Sequence, residues 1–471
     1  MEGEFGYGET TPNVSVQIRG QTSSEAEDKN YKIRIKDGKG EWRGQRTLAL
    51  NKHVNIPLRF TNKLMYDLMK EIPQMMSART QFVHLYVKDE TQGAGADFVD
   101  YGLYVQVEQM NKTYLKNHGL DSRGQLYKVE AFEWYQDEAL RLATDPDYDL
   151  DAFEEYLEVK GSDDHSKLLE VLEKLNDYAI PIEETIEQHF DPENICYWMA
   201  FHILTGNYDV ASRNAYIYSP LNSEKFYFIS WDNDAAFRRT YFDMTDYMEG
   251  DSWERGLTQF TRLVVINRMF REDQYVEMLT AAVEDLRQNY LTYEKLREIA
   301  DSYAEVVKPY LYGGADSENT VVSSAEYDML VEVLPSEVER NYQYYLESLE
   351  KPWPFFVGTP YENEEGGLSV EWDASYDMDG EEITYSAVLA TDYNFQNVIA
   401  QEEGLRLPIW SFDSLEPGQY FLRVRAQNTS GYEQDCYDYY SVSGIGKVYG
   451  AKSFYVNEDG SISDYVAVEG D

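Results

Sequence analysis

Four residues, Lys351-Pro352-Trp353-Pro354, divide the chain into stretches with different structural periods. Before them, residues 257–270, 272–289, 292–310 and 323–350 space Leu, Val, Met and Tyr at helical intervals. After them, from Phe355 to about Val442, short alternating strands are separated by turn signals at Gly366-Gly367, Asp379-Gly380 and Pro417-Gly418. No single core accommodates both patterns, and 471 residues exceed one ordinary domain. The expected division is a β-rich lobe over 1–110, a mainly helical lobe over 111–351, an all-β module over 352–442 and a tail over 443–471.

The first lobe reads as strands at 14–18, 31–35, 47–50, 81–87 and 101–107, with one amphipathic helix at about 62–72. In that helix Leu64, Met65, Leu68, Met69 and Ile72 share a face. Arg19-Gly20-Gln21-Thr22-Ser23-Ser24 forms the turn after the first strand, and Lys29 stands at the entrance of the second. A glycine followed by small hydroxyl residues lets backbone approach phosphate closely, although such turns are common in plain hairpins. Farther on, helices are expected near 163–179 and 192–205, the second capped by Asp191, with His202 packed inside it. The acidic loop at 145–151 lacks the central Gly and closing Glu of a Ca²⁺ loop and reads as a solvated turn.

Two β-like runs, 214–219 and 225–231, are joined by a Pro/Asn/Ser turn. Asp209 and Asn214 precede this hairpin, and Asp232, Asn233 and Asp234 follow it. Both ends of a hairpin lie on one side, so these oxygen-bearing side chains converge on what a hard divalent cation such as Mg²⁺ requires. Protein kinases place a catalytic-loop Asp, an Asn five residues later and a further Asp beyond a hairpin in this order.

Charge narrows the partners. With 41 Lys+Arg against 86 Asp+Glu, the net charge of -45 repels nucleic acid and anionic membranes. A basic protein or a metal-neutralised nucleotide remains compatible. Cys196 and Cys436 form no disulfide framework and read as small buried hydrophobes. The chain contains no run of 18 apolar residues, and its first residues lack the charged-then-apolar pattern of a leader, so no membrane insertion is expected.

Five blocks in order, RGQTSS with KNYKIRI, YGLYVQVEQMNKTYL, GQLYK, GNYDVASRNAYIY and FISWDNDAAF, resemble the CotH (spore-coat protein H) kinase family across roughly residues 14–350. The resemblance implies an α+β, bilobal protein-kinase-like domain and an ATP- and Mg²⁺-dependent enzyme that phosphorylates Ser/Thr of a protein substrate. It implies that Arg19, Ser23, Ser24 and Lys29 face the nucleotide phosphates and that Glu108 to Met110 run beside the adenine. Lys128 falls in a matching block, without a role that the residues themselves define. Asp209 becomes the catalytic base, Asn214 and Asp232 metal ligands, and Asp234 a supporting or alternative ligand. Gln21 stands where the family's RGNSS-like turn has Asn, and Glu71 is the candidate helix partner for Lys29.

The stretch LSVEWDAS, ITYSAVLATD and SLEPGQYFLRVRAQNTSGYEQ resembles a fibronectin type III module, an immunoglobulin-like sandwich, with Tyr420 in the tyrosine-corner position. Such a module implies a surface or matrix partner and an extracellular or cell-surface location. A non-catalytic surface scaffold and a kinase-like AMP transferase are the other functions compatible with these residues.

Overall fold

The computed structural model describes residues 12–20, 28–89, 91, 97–240, 253–364, 366–442 and 446–464. The protein is mixed α+β and divides into two compact units, residues 1–244 with 263–341 and residues 245–262 with 342–471.

In the first unit, β1 (Val14–Arg19), β2 (Asn30–Ile35) and β3 (Thr47–Asn51) form an antiparallel meander. After α1 (Thr61–Met69), β4 (Thr80–Val87) and β5 (Val99–Glu108) complete a five-stranded sheet of order β1-β2-β3-β5-β4. The apolar stripe of α1 behaves as its period requires, since Leu64, Met65, Leu68, Met69 and the following Ile72 are all buried. β5 is buried from Gly102 to Glu108, the pattern of a strand covered on both faces.

One buried ion pair ties this sheet to a distant turn. Lys52 Nζ donates to Asp316 Oδ1 at 2.5 Å and to the Tyr101 carbonyl at 2.5 Å, and lies 4.5 Å from the centre of the Tyr104 ring. The other Asp316 oxygen accepts from the Leu103 N–H at 3.0 Å. Lys52 and Asp316 side chains are only 1% and 5% exposed, so each charge depends on the other. Gly102 makes room for them: its φ is +74°, and a Cβ there would lie 1.9 Å from Asp316 Oδ1.

The unit continues through α2 (Lys112–Asn117), β6 (Gln125–Val129), α3 (Leu150–Glu154), β7 (Leu157–Val159), α4 (Ser166–Asn176), α5 (Ile182–His189) and α6 (Pro192–Leu204). β8 (Ala215–Ser219) and β9 (Tyr227–Ser230) form the expected hairpin and complete an antiparallel sheet of order β7-β6-β8-β9. α6 starts as its sequence dictates, with Asp191 accepting from the Asn194 N–H at 3.0 Å and Pro192 in the first turn. Asn194 Oδ1 in turn accepts from the Phe228 N–H at 2.8 Å, which fixes β9 against the helix. In the acidic loop Asp149 caps α3.

The remaining helices are α7 (Val264–Met269), α8 (Asp273–Asp285), α9 (Tyr293–Gly313), α10 (Ser324–Val333) and α11 (Glu337–Glu350). Two expected helices are broken. The 323–350 segment is interrupted by a 3-10 turn, Leu334–Ser336, because Pro335 has no N–H to continue the ladder. The 257–270 segment is a 3-10 turn, Gly256–Phe260, followed by the short α7. Among the described residues, no helix is long and apolar enough to cross a membrane.

The second unit is β-rich, with β10 (Tyr361–Glu362), β11 (Leu368–Glu371), β12 (Ile383–Ala390), β13 (Val398–Leu405), β14 (Ile409–Phe412), β15 (Gly418–Asn428), β16 (Glu433–Asp435), β17 (Tyr439–Val442), β18 (Gly446–Tyr449), β19 (Lys452–Val456) and β20 (Ile462–Asp464). One core joins the β11–β14 sheet, through Val370 and Trp410, to the β12–β15–β19 sheet, through Tyr385, Leu389, Leu422, Val424 and Phe454. Period-two alternation supplies these inward residues. The Tyr420 hydroxyl donates to the Glu416 carbonyl at 2.8 Å.

Residues 253–262 also belong to this unit. Trp253 Nε1 donates to the Tyr437 carbonyl at 3.1 Å, and the buried Glu254 accepts from Lys447 Nζ at 2.9 Å and the Tyr449 hydroxyl at 2.6 Å. Glu254→Gln removes the charge but keeps an acceptor. It should cost about 1–2 kcal/mol, read as a lower denaturant midpoint and faster proteolysis within 253–262; an unchanged midpoint would show that the carboxylate adds nothing.

Candidate active site

The β8–β9 hairpin determines which side chains meet. Its ladder pairs Ala215 with Ser230, and the Trp231 N–H donates to the Asn214 carbonyl at 3.0 Å, closing the open end. Asn214 and Asp232 both take left-handed backbone, with φ of 54° and 51°, a conformation that short polar side chains tolerate best. Asn214 Nδ2 donates to Asp209 Oδ2 at 2.8 Å, so the Asp and the Asn five residues later are directly joined. Arg213 Nε lies 3.9 Å from the other Asp209 oxygen, but both groups are exposed and the pair is weak.

Three successive residues beyond the hairpin are held from α1 and from the segment between β3 and α1. The Asp232 N–H donates to the Tyr66 hydroxyl at 3.3 Å, and the Asn233 N–H donates to Asn62 Oδ1 at 3.2 Å. Asp234 Oδ2 lies 3.3 Å from His53 Nδ1. Beneath the turn, Asn207 Nδ2 lies 3.3 Å from Asn233 Oδ1 and 3.2 Å from His202 Nδ1, while His202 Nε2 meets Ser230 Oγ at 2.7 Å. Burial pushes His202 down to about 3, so it is a neutral supporting ring.

Asp232 is raised to about 6, first by burial and then by the neighbouring Asp234 carboxylate, while His53, Arg19 and Lys128 pull it down. A carboxylate crowded in this way is relieved by a bound cation.

Cationic side chains approach Asp232 from other strands, Arg19 and Lys128 both acting on it. Arg19 Nη1 donates to Asn51 Oδ1 at 2.6 Å, and its guanidinium carbon lies 5.9 Å from the centre of the Trp231 ring. Arg19 pairs with Asn30 across the β1–β2 ladder, so alternation puts Lys32 on the same face. Lys32 is lowered first by burial and then by Lys160, with Arg19 adding to the effect. Lys128 faces Glu158 on one side and Tyr216 on the other in the β6 registers, and pairs with Glu130. Basic side chains are thus gathered here in a chain of net charge -45.

The expected residues are distributed unevenly. Asp209 with Asn214, and Asp232 with Asp234, Arg19 and Lys128, are brought together. Lys29 precedes β2, where its carbonyl accepts from the Tyr104 hydroxyl at 3.3 Å; Lys32 is the β2 lysine on the Arg19 face. Ser23 and Ser24 lie outside the described residues. The Glu108 carboxylate is buried against Arg79, His118 (2.8 Å) and Asn117 (3.3 Å). Despite its burial, the His118 and Arg79 hydrogen bonds hold it at about 2. Its side chain therefore anchors the end of β5, and Met110 is fully buried. Glu71 pairs with Lys295 at 2.5 Å. Lys32, His53, Asn62 and Tyr66 escaped the sequence reading. The strand carrying Lys32 was legible, but its place on the Arg19 face emerges only from the Arg19–Asn30 pairing.

Residues 16–345 match the family model described as CotH kinase protein. The chain belongs to the CotH kinase family. Inner spore coat protein H of Bacillus subtilis (strain 168) is 22% identical over 343 residues, covering 70% of this chain and 86% of that protein. A chain from the Shewanella oneidensis MR-1 toxin–antitoxin complex of HipA, HipB and operator DNA matches with 12% identity and a TM-score of 0.27. That match covers 64% of this chain and 59% of the other, under two thirds of its length, and carries no weight here. The CotH kinase match spans every element of the candidate site from Arg19 to Asp234.

Proposed function

We propose that this CotH-family chain is an atypical protein kinase that transfers the ATP γ-phosphate to a Ser or Thr hydroxyl of a protein, with Mg²⁺. The observation that carries the reading is the Asp209–Asn214 pair before the hairpin, with Asp232 and Asp234 after it and Arg19 and Lys128 close enough to act on Asp232. The bilobal arrangement, with lobes over 1–110 and 111–351 and a fibronectin type III-like module over 352–442, belongs to the same proposal.

The donor set fits the cation. Two carboxylates and a carboxamide are hard oxygen donors, and neutralisation relieves the crowding that raises Asp232. Among the described residues no three His, Cys, Asp or Glu side chains form a ready-made cage, so phosphate oxygens and water would complete the shell. Asn214, Asp232 and Asp234 would hold Mg²⁺, which when bound offsets charge on the phosphates. Asp209 orients the acceptor hydroxyl and takes its proton as oxygen bonds to the γ-phosphorus and the bond to the β–γ bridging oxygen breaks, releasing ADP. Arg19, Lys32 and Lys128 face the phosphates. The excess acid of the chain favours a basic protein acceptor and disfavours nucleic acid. The spore-coat relative and the β module support a surface location with a surface or matrix partner.

Incubating the full chain with labelled ATP, Mg²⁺ and a basic Ser/Thr-rich protein should add about 80 Da per acceptor site, and chelation of the metal should abolish labelling. An adduct of about 329 Da would instead mark adenylyl transfer. Absence of metal-dependent nucleotide binding would leave only a scaffold.

A further inference from the structure

The β3–α1 stretch holds Asp232 and Asn233 by their backbone N–H groups, but holds Asp234 by its carboxylate. The group that does so, His53, has a left-handed backbone with φ of 53° and a side chain only 5% exposed. Its hydrogen-bond polarity follows from its neighbours. Asn62 Oδ1 is committed to the Asn233 N–H, so the amide nitrogen of Asn62 is the atom facing His53 Nε2, at 3.5 Å. An amide NH₂ only donates, which leaves the lone pair on Nε2 and the proton on Nδ1, the atom 3.3 Å from Asp234. The bond needs no charge on the ring.

We propose that His53 is the positioning residue of the cation site, its Nδ1–H holding the Asp234 carboxylate beside Asp232 so that one divalent ion is shared between them. This rests on the reading of those two carboxylates as cation ligands. The physical need follows from placement, since Asp232 and Asp234 are two carboxylates two residues apart on one turn. Two carboxylates that repel one another turn apart when neither is tethered, and Asp234, 35% exposed, has solvent to turn into. A fixed outer hydrogen bond removes that freedom before the cation arrives, as partners of metal-bound carboxylates and imidazoles do elsewhere. These contacts thereby couple the segment after β3, the start of α1 and the turn after β9.

Calorimetry of the full chain with a non-hydrolysable ATP analogue, with and without Mg²⁺, separates the possibilities. His53→Ala should weaken Mg²⁺-dependent binding about tenfold or more and leave metal-free binding unchanged. His53→Asn accepts the left-handed backbone and places an N–H near the position of Nδ1, so it should recover binding to within about threefold of the unmodified chain. A role in folding alone would lower the unfolding midpoint of both variants without changing the ratio of affinities with and without metal. Metal-dependent binding by His53→Ala equal to that of the unmodified chain, or no recovery by a folded His53→Asn, overturns the role of His53 alone. Absence of metal-dependent binding by the unmodified chain overturns the kinase reading and the role of His53 together.

Discussion

Asp232→Asn should lose phosphoryl transfer by on the order of 10³-fold while making the metal-free protein more stable at neutral pH. The two effects have one cause. In the folded chain the Asp232 carboxyl titrates at about 6, raised first by burial and then by Asp234. In the unfolded chain an aspartate titrates near 3.9, so between these values the folded state holds a proton that the unfolded state has released. Stability from this group is therefore present below about pH 4 and is lost as pH rises through about 6. At pH 7 the ionised Asp232 costs the metal-free fold on the order of 1–3 kcal/mol, a cost that an uncharged amide avoids. Denaturation of both proteins in chelator should show the variant ahead at pH 7 and level at pH 4. Adding Mg²⁺ with nucleotide should then stabilise the unmodified chain and not the variant. A variant less stable than its parent at pH 7 would show that Asp232 is held by attractive contacts, and the case for a cation there would fail.

The reasons that Asp232 and Asp209 were legible in the sequence, while His53 was not, lie in the range of the interactions. A hairpin is local: alternation over 214–219 and 225–231 requires its open end to bring Asn214 opposite Trp231, and Asp232 follows by one residue. The α1 face was likewise written in its period, as Leu64, Met65, Leu68, Met69 and Ile72. By contrast, His53, Asn62 and Tyr66 reach residues of the 232–234 turn that lie far along the chain, and no periodicity records such pairings. Lys32 lies between. Its strand was evident, but the pairing of Arg19 with Asn30 was needed to show which lysine shares the arginine face. The surroundings of Glu108 were hidden for another reason. An acid at the end of a strand looks accessible, and only the fold reveals that Arg79, His118 and Asn117 surround it. Pro335 was visible in the sequence, yet the apolar spacing on both sides masked the break.

The Lys52–Asp316 pair is where a single substitution should do the most structural damage. Asp316→Ala leaves the Lys52 ammonium 1% exposed with its carboxylate gone, and also leaves the Leu103 N–H without its acceptor. Losing one partner of a buried pair costs about 3–5 kcal/mol, because the remaining charge must be buried alone or the structure must open to wet it. The damage should spread toward the active site, since Lys52 follows Asn51, the acceptor of Arg19, and precedes His53. Metal-dependent nucleotide binding should therefore fall together with stability, unlike in His53→Ala. Asp316→Asn keeps an acceptor for Leu103 and should lose less. Combining it with Lys52→Met removes the stranded charge as well, and the double variant should regain more than half of the stability lost by Asp316→Ala. Lys52→Met also removes the hydrogen bond to the Tyr101 carbonyl, so full recovery is not expected. An Asp316→Ala protein that unfolds within about 1 kcal/mol of its parent would show that Lys52 finds another partner or reaches water, and that the pair does not hold the sheet to the turn.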